Sequence, residues 1–234
     1  MNFNQLKVKD VELIYNKIFE NACELIDDAS LLFDNQKYAR AFMCAQISVE
    51  EFGKLPTLIT VALDIHNGVK VDWKKLNKKL RDHKQKTISS YLTQMLMEKI
   101  LYNFDLEKLM ISDEDDLEKF KVFLDGIKLN QDIIVEVLRN SKIKEQVIYS
   151  SALAEYFNNY KNHSLYADFY KDEFLKSSEV IDKKTCMGRI FMALCQKKYH
   201  GLTNIPDKGI PLYKYEDVDM DSIISDMEKN DNEE

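Results

Sequence analysis

The chain has 234 residues, 40 of them acidic and 33 basic, for a formal charge of −7. Six glycines and three prolines, where average usage of about 12% would supply roughly 28, exclude a turn-rich β architecture and favour long helices. No two glycines lie closer than eight residues, which excludes the Gly-rich phosphate loops of P-loop and Rossmann proteins, and 45% hydrophobic content excludes a chain disordered throughout.

Apolar residues at Val11, Ile14, Ile18, Ala22, Leu25, Ala29 and Leu32 follow the 3.6-residue period. They predict a first helix, capped by Asp10 and broken at 34–36. A second helix runs from about Lys37, with Gly53 and Pro56 marking a kink or an irregular turn. After a loop at 66–72, Asp72 caps a third helix whose inner stripe is Trp73, Leu76, Leu80, His83, Thr87 and Tyr91. Acidic residues at 112–116 open a helix expected over about 115–140, since carboxylates suit helix N-termini. Helices over about 142–160 and 178–200 follow, the last capped by Ser177 or Ser178. The expected architecture is an all-α single domain over residues 1–212, with a flexible acidic tail at 213–234. That tail holds 9 acids and 2 bases, so the preceding residues carry 31 of each and are neutral.

The N-terminal decapeptide lacks a basic-then-apolar signal pattern, and no apolar run approaches the roughly 20 residues of a membrane span. Cys23, Cys44, Cys186 and Cys195 have no CxxC spacing. A soluble cytoplasmic protein with reduced thiols, no metal and no cofactor is expected.

Three clusters carry possible chemistry. In Glu50-Glu51-Phe52-Gly53-Lys54, the helical wheel turns Glu50 and Lys54 outward and leaves Glu51 at the edge of the apolar face. Glu50 and Lys54 read as an ordinary surface i,i+4 pair, whereas Glu51 calls for a basic partner from another helix. The run 74–86 holds Lys74, Lys75, Lys78, Lys79, Arg81, Lys84 and Lys86 against the single acid Asp82. It suits phosphate binding or, more commonly, a solvated face. His83 falls on its inner stripe, and counting from the intervening loop offsets it from Glu51 by about 6 Å, near one helical turn. The third cluster is Lys161-Asn162-His163-Ser164-Leu165-Tyr166-Ala167-Asp168. There Tyr166 and Asp168 could orient one another, with Lys161 and His163 as basic groups; a polar helix end is the plainer reading.

The order of these motifs, Ala45 through Lys54, then Asp82-His83-Lys84-Gln85-Lys86, then Lys161 through Asp168, resembles the AbiV-type abortive-infection family of the HEPN-like all-α superfamily over roughly residues 8–200. The resemblance implies a HEPN-like bundle of long antiparallel helices with additional C-terminal helices. It further implies phage defence, a homodimer, a phage-encoded protein as trigger and, in many relatives, metal-independent RNA cleavage by an Arg and a His four to six residues apart. No histidine here has such an Arg; Arg81 is only two residues before His83. An RNA-acting enzyme of altered site would use His83 as acid or base, Lys54 and Lys86 on phosphate, and Glu51 to orient His83 or a lysine. Two other readings stand beside it: a binding module that sequesters a translation or replication component or a phage protein, and motifs that only hold helices together.

Overall fold

The computed structural model describes residues 6–102, 116–126, 156–203 and 209–215. Among these, helices dominate: α1 (Val8–Asp34), α2 (Tyr38–Phe52), α3 (Leu55–His66), α4 (Trp73–Arg81), α5 (His83–Tyr102), α6 (Asp116–Gly126), α7 (156–165), α8 (Ser177–Val180) and α9 (Lys183–Thr203). Strands β1 (Asp168–Tyr170) and β2 (Glu173–Leu175) form a small antiparallel hairpin between α7 and α8. The predicted regions 103–115 and 127–155, and the tail from 216, lie outside the described residues.

α1, α2 and α9 build the centre. Ser48 Oγ on α2 donates to the Ala22 carbonyl of α1 (2.8 Å), and the Phe19 and Phe52 rings meet edge-on at 5.8 Å, so α1 and α2 run antiparallel. α9 returns along α1, with Tyr15 OH donating to the His200 carbonyl (3.2 Å). It therefore runs in the same direction as α2, with Arg189 by Phe42 and His200 stacked on Phe52. α2 is buried on almost every side: Ala41, Phe42, Ala45, Gln46, Ser48, Val49 and Phe52 are all fully covered. A helix enclosed this way has no solvent face for its polar residues.

Local chemistry explains the breaks. α1 begins at Val8 rather than after Asp10, and Asp10 sits at the third helical position, where its carboxylate accepts from Lys7 N–H (2.8 Å). Of the kink or irregular turn expected at Gly53 and Pro56, the structure has the turn: α2 stops at Phe52, and Pro56 occupies the first turn of α3, where its missing N–H costs nothing. α3 ends in a Schellman turn, with Val69 N–H to Asp64 O (2.8 Å), Gly68 N–H to Ile65 O (3.1 Å) and Gly68 at φ +73°. The predicted continuous third helix is interrupted at Asp82, whose extended backbone (ψ 109°) closes α4 and whose Oδ1 accepts from Gln85 N–H (3.1 Å) to cap α5. At the C-terminal end the cap is Asp182, accepting from Thr185 N–H (2.7 Å), while Ser177 belongs to the short α8.

Candidate functional site

The helical wheel turns Glu50 outward and leaves Glu51 at the edge of the apolar face; the structure keeps Glu51 at that edge and buries Glu50. Glu50 is 3% exposed and Glu51 only half-buried. Because α2 is enclosed, the direction away from its most apolar stripe points at α5 and α7 instead of water. Glu51 pairs with Lys54 one turn along. It does not orient His83, and Lys54 is occupied with Glu51.

Three elements deliver four donors to Glu50. Oε2 lies 2.6 Å from His83 Nδ1 and 3.4 Å from Lys86 Nζ, both on the first turn of α5. Oε1 accepts from Lys161 Nζ of α7 (2.9 Å) and from Gln46 Nε2 one turn back on α2 (3.3 Å). Burial by itself would push the Glu50 carboxyl up. Hydrogen bonds from Lys161 and His83 and the charges of Lys161 and Lys86 outweigh it and hold the group below the usual carboxylate range. An ionised carboxylate only accepts, so His83 Nδ1 carries the hydrogen and Nε2 is the nitrogen left for chemistry. The His83 side chain is 65% exposed, because the break at Asp82 puts it at the start of α5 and not on an inner stripe.

Gly53 makes this geometry possible. A Cβ there would overlap the Lys86 carbonyl oxygen and approach Ser90 Oγ to 2.7 Å. Without one, α5 settles against the end of α2, and Ser90 Oγ donates to the Val49 carbonyl. The motif around residue 50 thus reads as one device: Glu50 collects the charges, and Gly53 lets the helix that bears them approach.

The remaining predicted site residues separate. Lys86 is buried (7% exposed) and directed to Glu50, leaving Lys74, Lys75, Lys78, Lys79, Arg81 and Lys84 as the exposed members of the basic run. Lys161 joins the cluster, whereas His163 packs its ring on Tyr170 at 5.2 Å. Tyr166 is 64% exposed, and Asp168 uses Oδ1 on the Phe169 N–H (2.8 Å), not on Tyr166. Neither is in the Glu50 cluster, since the chain turns into the hairpin after 165.

Arg189 stands outside every motif of the sequence. It is 2% exposed, lies 3.6 Å from the Phe157 ring centroid, and donates to Tyr91 OH (3.0 Å). Burial lowers its pKa, opposed by Tyr91 and by the Glu50 charge. No sequence spacing links α9 to α2, so only the aromatic residues at 42, 91 and 157 could have hinted at a cation among them. His200 is buried, and desolvation takes its pKa down to about 3, so it holds no exchangeable charge near neutrality. Burial likewise pushes the Cys186 thiol up to about 12, which removes it as a nucleophile.

Among the described residues no group of His, Cys, Asp and Glu could hold a metal ion, and no helix is long and apolar enough to cross a membrane. No curated protein and no solved structure matches the chain. The AbiV family model of the HEPN type does match, over residues 10–193, a span containing the Glu50 cluster and both helices of the basic run. The chain therefore belongs to the HEPN-type AbiV family of abortive-infection proteins.

Proposed function

We propose that the protein defends bacterial cells against phage by acting on RNA in the cytoplasm, with His83 as the acid–base residue. The observation that carries this reading is the 2.6 Å pair between buried Glu50 and exposed His83, placed where the basic helix α4 meets α5. Glu50 positions the ring and fixes its tautomer, and Lys86 and Lys161 hold Glu50 ionised. The neighbouring exposed Arg81 and Lys84 are placed for backbone phosphate, a role that buried Lys86 cannot share. In this mechanism His83 Nε2 takes the proton from a ribose 2′-hydroxyl, whose oxygen attacks the adjacent phosphorus. The bond from phosphorus to the 5′-oxygen breaks, that oxygen takes a proton from water and His83 returns its own to solvent, giving a 2′,3′-cyclic phosphate and a 5′-hydroxyl with no metal required. A homodimer, as the family resemblance implies, would set two such sites beside one another, and a phage-encoded protein would act as trigger.

The test is inducible expression of wild type and His83→Ala with and without phage, following RNA integrity and protein synthesis. The substitution falls on an exposed ring, so folding should survive while RNA damage and growth arrest are lost. Arrest that persists in His83→Ala, and disappears on charge reversal along α4, would favour the non-catalytic binding module. Intact tRNA and rRNA under wild-type arrest would defeat the RNA reading.

A further inference from the structure

Between α5, α6, α7 and α9 lies a cavity of about 710 Å³, well within the size range of small-molecule sites. Tyr91, Phe120, Tyr156, Phe157, Tyr160 and Phe191 give it aromatic walls, and Arg189 and Lys184 bring two cations. Among the described residues that line it there is no acid. None of Glu50, His83, Lys86 and Lys161 lines it, so it stands apart from the Glu50 cluster.

Arg189 is buried there without a counter-charge: among the described residues no carboxylate forms an ion pair with it, and Glu50 acts on it only at longer range. Besides Tyr91 OH, its hydrogen-bond partner is Met192 Sδ (3.1 Å), a poor acceptor, and Nε has none among the described residues. Ring faces and one phenol compensate a desolvated guanidinium only in part. The neighbouring Gly188 is the second observation. It lies inside α9, where glycine is a poor helix former, and a Cβ there would meet nothing within 4 Å. No neighbour requires this glycine, in contrast to Gly53; its effect is to leave the cavity open beside Arg189.

We infer that this cavity binds a small aromatic monocarboxylate, its ring among the aromatic walls and its carboxylate on Arg189. Planar rings suit such walls because edge-to-face and offset stacking add to the burial of apolar area. A carboxylate matches the guanidinium in shape and in charge. Lys184 is exposed and screened by water, so the buried charge to be met is the single one of Arg189. A phosphate monoester would bring a second negative charge with no buried partner, which disfavours it. The ligand would lie between α5 and α7, the helices that carry Lys86 and Lys161 to Glu50. Its binding requires no RNA chemistry at His83.

The test is calorimetric titration and thermal melting of the full-length protein with indole-3-acetate as probe. Its neutral amide, cyclohexylacetate and AMP serve as comparisons that remove the charge, remove the planar ring and add a second charge. Indole-3-acetate should bind, and at about ten times its dissociation constant should raise the melting temperature by about 3–5 °C. Each comparison compound should bind at least about tenfold more weakly. Gly188→Leu fills the cavity from a position with free space, so it should melt no lower than wild type and lose at least about tenfold in affinity. Arg189→Met should abolish the preference for the acid over the amide. No heat and no melting shift with indole-3-acetate up to about 1 mM would overturn the proposal. So would equal binding of acid and amide, tighter binding of AMP, or an affinity that Gly188→Leu leaves unchanged. Arg189→Met bears on the outcome only if it folds; Gly188→Leu decides the location without it. Loss of the RNA reading would leave every one of these binding outcomes in place, so the two readings fail separately.

Discussion

Replacing Glu50 by Gln keeps its shape and removes the anion that, among the described residues, faces Lys86 and Lys161, whose side chains are only 8% and 13% exposed. Breaking a buried pair from one side leaves charge uncompensated, and a loss of about 3 kcal/mol is expected in denaturant unfolding. The pH dependence has a definite sign. Glu50 has a lowered carboxyl pKa in the fold, so its contribution is complete above the ordinary value of 4.5 and fades as pH falls through the folded value. Wild type should therefore lose stability below about pH 4.5 more steeply than Glu50→Gln, read from unfolding midpoints across the acid range. His83→Ala should change the melting temperature little, because the ring is largely in solvent. If His83→Ala is as unstable as Glu50→Gln, then the histidine is chiefly a structural partner and its assignment as acid–base residue fails.

At the scale of elements, the decisive contact is between the end of α2 and the start of α5. Gly53 has φ −62° and ψ −12°, a conformation open to any residue, so its requirement is purely one of space. Gly53→Ala should push α5 outward at a cost of about 1–3 kcal/mol, the usual range for overpacking. Displacement there carries His83 and Lys86 away from Glu50, so activity should fall further than the loss of folded protein explains. A specific activity that tracks folded fraction alone would refute this coupling. The break at Asp82 matters equally. A continuous helix from 73 would have turned His83 inward; the cap at Asp82 restarts the helix and brings Nδ1 to the carboxylate with the rest of the ring in water. A local Asp-His-Lys string looks like uninterrupted helix on a wheel, because periodicity carries no information about where the axis bends.

Over the whole molecule, charge is sorted by region. Residues 37–104 carry 12 bases and 6 acids, and the exposed bases concentrate on α4 and the first turn of α5. Reversing three of them in Lys78→Glu, Lys79→Glu and Arg81→Glu should weaken binding to single-stranded RNA uniformly across sequences. It should also flatten the plot of log affinity against log salt by about 0.7 for each phosphate that the variant no longer neutralises. These side chains are exposed, so the melting temperature should stay within a few degrees of wild type; an unchanged salt slope would remove α4 from the binding surface.

The amino-acid sequence by itself determined the helical class, the positions of the main breaks at 34–36 and 53–56, the family motifs and the uneven charge. All of these follow from composition, 3.6-residue periodicity and capping chemistry, which act over a few residues. The tertiary structure decided which carboxylate is the centre. Glu50 and Glu51 are neighbours of identical chemistry, and only the enclosure of α2 by α1, α5, α7 and α9 makes one of them the buried partner of His83, Lys86 and Lys161. The same holds for Arg189, which meets Phe42, Tyr91 and Phe157 across long stretches of chain. Burial is a property of packed neighbours, and a helical wheel presumes a single dry side that this central helix does not have.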